Sequence, residues 1–126
     1  MGFDRKRILV VDDDDMIRGL ISKMLSRLGY DVFSVNSGEK GWDFFLKNQF
    51  DLVITDKQMP GLAGDKLAVE LMKIRPEIPI LLCTGFSDVM SEEKATSLGI
   101  KGFLLKPVVL KELARKIREV LNQKNN

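Results

Sequence analysis

The sequence predicts an α/β domain in which a five-stranded parallel sheet carries helices on both faces. Two observations lead to this fold class. Five short runs of aliphatic residues recur along the 126-residue chain. Each run is unbroken and rich in branched residues, which is typical of strands buried on both faces. Segments with a helical period separate the runs, and such alternation indicates right-handed β–α–β connections within a parallel sheet.

Each element can be placed from its own pattern. The predicted strands lie at residues 7–11, 31–35, 52–55, 78–84 and 102–106. The predicted helices lie at residues 14–28, 37–48, 64–75, 91–98 and 109–122. In the first helix we expect Leu20, Ile21 and Leu25 to face the sheet, and Ser37 and Ser91 are expected to cap the second and fourth helices. Five such strands favour a flavodoxin-like, doubly wound fold with five helices, strand order 2-1-3-4-5 and a single domain over residues 1–126.

Composition excludes several classes of function. The chain has 20 basic and 18 acidic residues and a net charge of +2, which is too balanced to indicate nucleic acid or a membrane as a direct partner. One cysteine excludes an intrachain disulfide, and the lack of histidine leaves few ligands for zinc. No signal-peptide core or membrane-spanning run is visible, so we expect a cytoplasmic location.

Reactive side chains follow four of the five predicted strands. Asp12 and Asp13 follow the first strand, Asp56 the third, Thr84 the fourth and Lys106 the fifth. Ligands bind outside the carboxyl ends of parallel strands, so we expect these five residues to lie together. Clustered carboxylates repel one another, and a divalent cation with oxygen ligands, such as Mg²⁺, removes that repulsion. The lysine and the hydroxyl are suitable donors for phosphoryl oxygens.

Four segments carry a family resemblance: ILVVDDDDMIR, LVITDKQMPGLAGDKL, ILLCTGF and GFLLKP. They resemble the signature segments of the receiver domain of two-component response regulators, most closely receivers of hybrid sensor histidine kinases. The resemblance implies a phosphoacceptor signalling domain. Asp56 would accept a phosphoryl group, with Mg²⁺ bound, from a phosphohistidine of a histidine kinase or a histidine phosphotransfer domain. We expect no enzymatic activity beyond the domain's own phosphorylation and dephosphorylation.

The resemblance also assigns the metal ligands. Asp13 would bind Mg²⁺ directly, and Asp12 would act largely through water. Asp56 and the backbone carbonyl of Gln58 would complete the protein ligands.

The same resemblance assigns a switch. Thr84 would be the switch hydroxyl, Lys106 would bind the phosphoryl group, and Phe103 would be the rotating aromatic residue. Pro107 would follow a cis peptide bond. Phosphorylation would change the surface around the fourth helix, the fifth strand and the fifth helix.

The lifetime of the phosphorylated state and further partners can also be predicted from the resemblance. Gln58 and Phe86 occupy positions that modulate hydrolysis in the family. A phenyl ring at Phe86 cannot orient an attacking water, so we predict slow autodephosphorylation. The remainder of a longer chain of its own and a weak phosphorylation-dependent dimer are further expected partners.

Three other functions are compatible with parts of the sequence. A haloacid-dehalogenase-type enzyme would use Asp12 as nucleophile and Asp14 as acid, but only Glu112 and Glu119 follow Lys106 as later acids. A flavodoxin would need a phosphate-binding loop after the first strand, where four aspartates would repel a phosphate. A receiver-like module that binds partners without phosphorylation would not require the complete set of site residues.

Overall fold

The strands of the computed structural model form one parallel sheet. The structure describes residues 5–85, 93, 94 and 96–124. Its strands are β1 (Arg7–Val11), β2 (Asp31–Val35), β3 (Leu52–Asp56), β4 (Ile80–Thr84) and β5 (Gly102–Leu105). All neighbouring strands pair in parallel, in the order β2-β1-β3-β4-β5, which confirms the predicted order. β3 and β4 are buried along their whole length because helices cover both faces of the sheet there.

Four helices have complete boundaries in the described part of the chain. They are α1 (Asp15–Arg27), α2 (Gly38–Lys47), α3 (Gly64–Ile74) and the C-terminal helix (Leu110–Lys124). Asp14 caps α1 by accepting hydrogen bonds from the backbone N–H groups of Met16 and Ile17. Ser37 caps α2 by accepting one from Lys40, as predicted. The predicted helix at 91–98 falls partly outside the described residues; residues 93, 94, 96 and 97 are helical, and the Ser91 cap lies outside.

The hydrophobic core lies in two layers, one on each face of the sheet. One layer joins β1, β3 and β4 to α2 and α3, and the other joins them to α1 and the C-terminal helix. Ile21 and Leu25 are buried in the second layer as predicted, but the prediction for Leu20 was wrong, since it is 51% exposed. Ile21 and Leu25 are four residues apart and define the buried stripe of α1. Met16 and Leu20 are also four residues apart, but their stripe faces solvent.

None of the helices in the described ranges is long and apolar enough to cross a membrane.

Candidate functional site

The strand register brings the predicted residues to one edge of the sheet, which we call the carboxyl edge. Asp56 ends β3 and lies opposite Cys83 of β4, while Thr84 lies opposite Leu105 of β5. The next residue, Lys106, donates its backbone N–H to the Thr84 carbonyl at 2.8 Å. The Lys106–Pro107 peptide bond is cis, as the sequence predicted.

Three carboxylates form an acidic cluster at this edge. One oxygen from each of Asp12, Asp13 and Asp56 lies within 4.8 Å of the other two. Asp12 and Asp56 are buried, with 2% and 5% of their surface exposed, whereas Asp13 is exposed to solvent. The cluster therefore consists of two buried carboxylates and one carboxylate that faces solvent.

Two buried polar atoms of this edge lack a hydrogen-bond partner within the described residues. They are the Oδ2 atom of Asp12 and the Oγ1 atom of Thr84. The other carboxylate oxygen of Asp12 accepts the backbone N–H of Asp14 at 2.9 Å. An unpartnered buried oxygen is costly to the fold, and such atoms are common at binding and catalytic sites. The orphan Asp12 oxygen and its two neighbouring carboxylates form an all-oxygen donor set that could hold a hard metal ion.

Lys106 brings a positive charge to Asp56. Its Nζ atom lies 2.5 Å from the Oδ1 atom of Asp56, and 31% of its side chain is exposed. Burial acts to lower the pKa of Lys106, but the hydrogen bond and negative charge of Asp56 outweigh it and raise that pKa. The lysine is therefore a stable ammonium group at the acidic cluster.

The two buried carboxylates, Asp12 and Asp56, have pKa values raised towards the neutral form. Burial raises the pKa of Asp12, and the charge of Asp56 adds to that rise. Burial also raises the pKa of Asp56, and the opposing hydrogen bond and charge of Lys106 do not fully compensate for it. The lysine therefore offsets only part of the electrostatic cost of the cluster. Cys83 is no candidate nucleophile, because burial raises the pKa of its thiol to about 12.

The backbone behind Asp56 is tightly packed against the start of α3. A Cβ atom at Gly64 would overlap the carbonyl oxygen of Asp56, so only glycine fits there. The Thr55 hydroxyl donates to that same carbonyl at 3.1 Å, and the Gly64 N–H donates to the Lys57 carbonyl at 2.9 Å. These contacts with the start of α3 and with Thr55 hold the backbone of Asp56 in place.

Arg18 is a site residue that the sequence reasoning missed. Its guanidinium donates to the backbone carbonyl of Asp12 at 3.0 Å and to the carboxylate of Asp15 at 2.6 Å. The three-residue spacing of Asp15 and Arg18 on a helix could have indicated that ion pair. No sequence pattern indicates the contact with Asp12, which lies six residues back. Gly64 was also missed, because the close approach of its backbone to that of Asp56 leaves no periodic signal in the sequence.

Three other predicted residues have less direct outcomes. Gln58 lies in the loop between β3 and α3 with its side chain exposed, and its role as a carbonyl ligand stays a prediction. Phe103 is half-buried, lies opposite Leu82 and packs against the core layer formed with α2 and α3. Phe86 lies outside the described residues.

The residues required by the dehalogenase alternative have other roles. Asp14 is the α1 cap. Glu112 and Glu119 both pair with Arg115 on the C-terminal helix, as expected for solvent-facing helix residues.

Comparison with known proteins shows the family of the chain. The family model described as "Response regulator receiver domain" matches residues 8–118. A curated relative, "Probable transcriptional regulator ycf27" of Porphyridium aerugineum, is 37% identical over 119 residues, which cover 94% of this chain and 49% of the relative. "DNA-binding transcriptional regulator NtrC" of Azospirillum brasilense is 36% identical over 115 residues, which cover 91% and 24%. The chain thus spans about half the length, or less, of these curated relatives.

A solved structure gives the same result for the fold. The response regulator receiver domain protein from Clostridium thermocellum superposes with a TM-score of 0.91 at 33% identity, and the match covers 95% of this chain and 97% of that one. The two curated relatives are described as transcriptional regulators, so the special likeness to hybrid-kinase receivers stays a prediction. The match over residues 8–118 shows that the chain belongs to the response regulator receiver domain family.

Proposed function

We propose that this receiver domain accepts a phosphoryl group on Asp56, with Mg²⁺ bound, from a phosphohistidine of a histidine kinase or a histidine phosphotransfer domain. Membership of the family implies phosphoacceptor signalling. The observation that supports Asp56 as the acceptor is its position. It is the only member of the acidic cluster within the described residues that also contacts the ammonium group of Lys106, at 2.5 Å.

The transfer needs positioning and neutralisation of charge more than covalent assistance. A carboxylate oxygen of Asp56 attacks phosphorus, the P–N bond to the donor imidazole breaks, and an acyl phosphate forms. Asp12, Asp13, Asp56 and the backbone carbonyl of Gln58 would hold Mg²⁺, which supplies positive charge to the phosphoryl oxygens when bound.

Lys106 and Thr84 are placed to bind the product. Once Asp56 is phosphorylated, its negative charge lies on the phosphoryl oxygens, and the Lys106 ammonium can donate to them. The buried hydroxyl of Thr84 lacks a partner within the described residues and can donate in the same way. Full switching requires about 5.5 kcal/mol of differential stabilisation. Two or three charge-assisted hydrogen bonds of roughly 1.5–3 kcal/mol each cover that amount.

The output surface lies next to these groups. Movement of Thr84 towards the phosphoryl group vacates space that the ring of Phe103 can enter. Phe103 and Pro107 line a cleft of about 510 Å³ between β5 and the C-terminal helix. Phosphorylation therefore changes the surface formed by β5, the C-terminal helix and the predicted fourth helix. The domain has no enzymatic activity beyond its own phosphorylation and dephosphorylation, and it controls a partner module on its own chain or on another.

Treatment with acetyl phosphate and Mg²⁺, followed by intact mass measurement, tests the proposal. The wild-type protein should gain one phosphoryl group, and the gain should require Mg²⁺. Asp56→Asn should abolish it. Asp51→Asn is the matched control, because Asp51 is a partly buried aspartate at the opposite end of β3. A wild-type protein that gains no phosphoryl group, or an Asp56→Asn variant that still does, would overturn the assignment.

A further inference from the structure

We infer that Arg18 is a positioning residue that holds the backbone of Asp13 in place and thereby sets the affinity of the acidic cluster for a divalent cation. The inference rests on the proposed metal site. It concerns a residue whose side chain does not belong to the acidic cluster itself.

The Arg18 guanidinium bridges two points of the loop between β1 and α1. One terminal nitrogen donates to the backbone carbonyl of Asp12 at 3.0 Å, and the other donates to the carboxylate of Asp15 at 2.6 Å. Only 20% of the Arg18 side chain is exposed, although Asp15 is 83% exposed. A planar guanidinium that holds two acceptors has little freedom to move. Asp12 and Asp15, the first and last of the four consecutive aspartates, are therefore both held by the rigid guanidinium of Arg18.

The contact with the Asp12 carbonyl bears directly on Asp13. That carbonyl belongs to the peptide group that links Asp12 to Asp13, and the peptide group is planar. Fixing its oxygen therefore fixes the plane from which the Asp13 side chain projects. The Asp13 side chain is exposed to solvent. The reach of the Asp13 carboxylate is limited by the position of its Cα atom, and Arg18 holds the peptide group that sets that position.

Positioning and simple electrostatics predict opposite effects for the loss of Arg18. The guanidinium is positive, and as a charge alone it repels a metal ion at the acidic cluster. If Arg18 acted only through its charge, its removal would tighten cation binding. If it acts by holding Asp13 in place, its removal weakens binding. Loss of a residue that orients a metal ligand typically weakens affinity by about 10- to 100-fold. We expect the low end of this range, because the Asp14 N–H also holds Asp12.

The experiment measures the Mg²⁺ dissociation constant by titration monitored at the backbone amides of the site in NMR spectra. Arg18→Met should weaken binding about tenfold. Arg18→Lys keeps the charge but cannot bridge both acceptors, so it should fall between Arg18→Met and the wild type. The matched control is Arg27→Met, which removes the same charge from the last turn of the same helix and should leave the dissociation constant unchanged.

A kinetic measurement separates positioning from a general loss of structure. At low Mg²⁺, phosphorylation of Asp56 by acetyl phosphate should be slower in Arg18→Met than in the wild type, and the difference should shrink as the Mg²⁺ concentration rises, because the bound metal holds Asp13 in place. Tighter or unchanged Mg²⁺ binding in Arg18→Met would overturn the inference. If that variant does not fold, wild-type affinity in Arg18→Lys would overturn it. Failure of the proposed function is distinguishable, since it would remove phosphorylation from the wild type while the binding measurement still decides the role of Arg18.

Discussion

The two edges of the sheet differ in whether their polar and charged groups have partners within the fold. At the carboxyl edge, buried polar atoms of Asp12 and Thr84 lack partners within the described residues, and one lysine faces three aspartates. We call the opposite end of the strands the amino edge. There the chain carries arginines and aspartates too, but Arg7, Asp51 and Arg75 each have a partner within the fold.

Pairing at the amino edge involves both hydrogen bonds and aromatic rings. The Arg7 N–H donates to the carboxylate of Asp51 at 2.8 Å. Its guanidinium carbon lies 4.7 Å from the ring centre of Phe33 and 5.5 Å from that of Phe50. Arg75 donates to the Phe50 carbonyl at 2.7 Å. These hydrogen bonds and cation–π contacts pair the charged groups with backbone and aromatic groups of the fold, and they contribute to stability.

The difference teaches where ligand chemistry is to be sought in such a sheet. A polar atom that has its partner in the fold contributes to stability and has nothing left for a ligand. A buried atom without a partner weakens the fold, and a ligand that binds it recovers that energy. Changes at the carboxyl edge should therefore alter both stability and phosphorylation, whereas changes at the amino edge should alter stability alone.

Gly64→Ala should give the largest effect on stability. The added Cβ would overlap the Asp56 carbonyl oxygen, and the backbone of the acceptor residue would have to move. We expect a loss of about 3 kcal/mol in the free energy of unfolding, measured by urea denaturation, and slower phosphorylation. Gly19→Ala is the matched control. Apart from the neighbouring backbone of α1 itself, no atom of the described residues lies within 4 Å of its Cβ position, so helix propensity should raise stability by about 0.5–1 kcal/mol. Equal effects of the two changes would contradict the close packing behind Asp56.

Lys106→Met should give the next largest effect. It leaves the buried carboxylate of Asp56 without its charged partner and removes a positive charge that lowers the pKa of Asp12. We expect a loss of about 2 kcal/mol in the free energy of unfolding at neutral pH. The loss should shrink when Mg²⁺ is added, because the metal takes over neutralisation of the cluster. A loss that is independent of Mg²⁺ would indicate that the lysine contributes mainly through packing.

The sequence predicted the parts of this site that depend on the order of elements. Unbroken apolar runs identify the strands, and parallel strands must bring their carboxyl ends to one edge. Asp12, Asp56, Thr84 and Lys106 could therefore be gathered from their places in the chain. The strand boundaries differ slightly from prediction: β4 begins at Ile80, after Pro79, which has no N–H group to pair.

The parts that escaped prediction depend on how side chains and loops pack. The Arg18 guanidinium reaches a carbonyl six residues back, and Gly64 is required by a backbone that comes from another element. Leu20 fits the apolar period of α1 as well as Ile21 does, yet Leu20 is half exposed and Ile21 is buried. The hydrophobic period alone therefore predicts none of these three features.

Asp12→Asn should stabilise the protein in the absence of metal. The amide keeps an acceptor for the Asp14 N–H, and its NH₂ group can donate to the neighbouring carboxylates. We expect a gain of about 1.5 kcal/mol in the free energy of unfolding at neutral pH. The matched control is Asp14→Asn, which makes the same chemical change at an exposed cap and should alter stability little, since asparagine caps helices as well as aspartate does.

The gain from Asp12→Asn should depend on pH and on metal. Burial raises the pKa of Asp12 above its ordinary value of 3.8, so the folded protein holds a proton there more firmly than the unfolded chain. The wild type therefore loses stability relative to the variant as the pH rises above about 3.8, and the gain should vanish at lower pH. Saturating Mg²⁺ should reverse the order, because the metal stabilises only the intact cluster. Denaturation curves at several pH values, with Mg²⁺ and with EDTA, check both expectations.

Arg7→Met should give the smallest effect and should complete the comparison of the two edges. The substitution removes the guanidinium from the rings of Phe33 and Phe50, while the backbone N–H to Asp51 stays. We expect a loss of about 0.5–1 kcal/mol in the free energy of unfolding. Arg5→Met is the matched control, since the guanidinium of the exposed Arg5 lies 3.8 Å from the carboxylate of Asp31 and should contribute almost nothing to the free energy of unfolding. The rate and extent of phosphorylation should equal those of the wild type in both variants. Slower phosphorylation of the Arg7→Met protein would show that the amino edge is coupled to the site through β1. The proposed separation, in which the amino edge affects stability alone, would then be wrong.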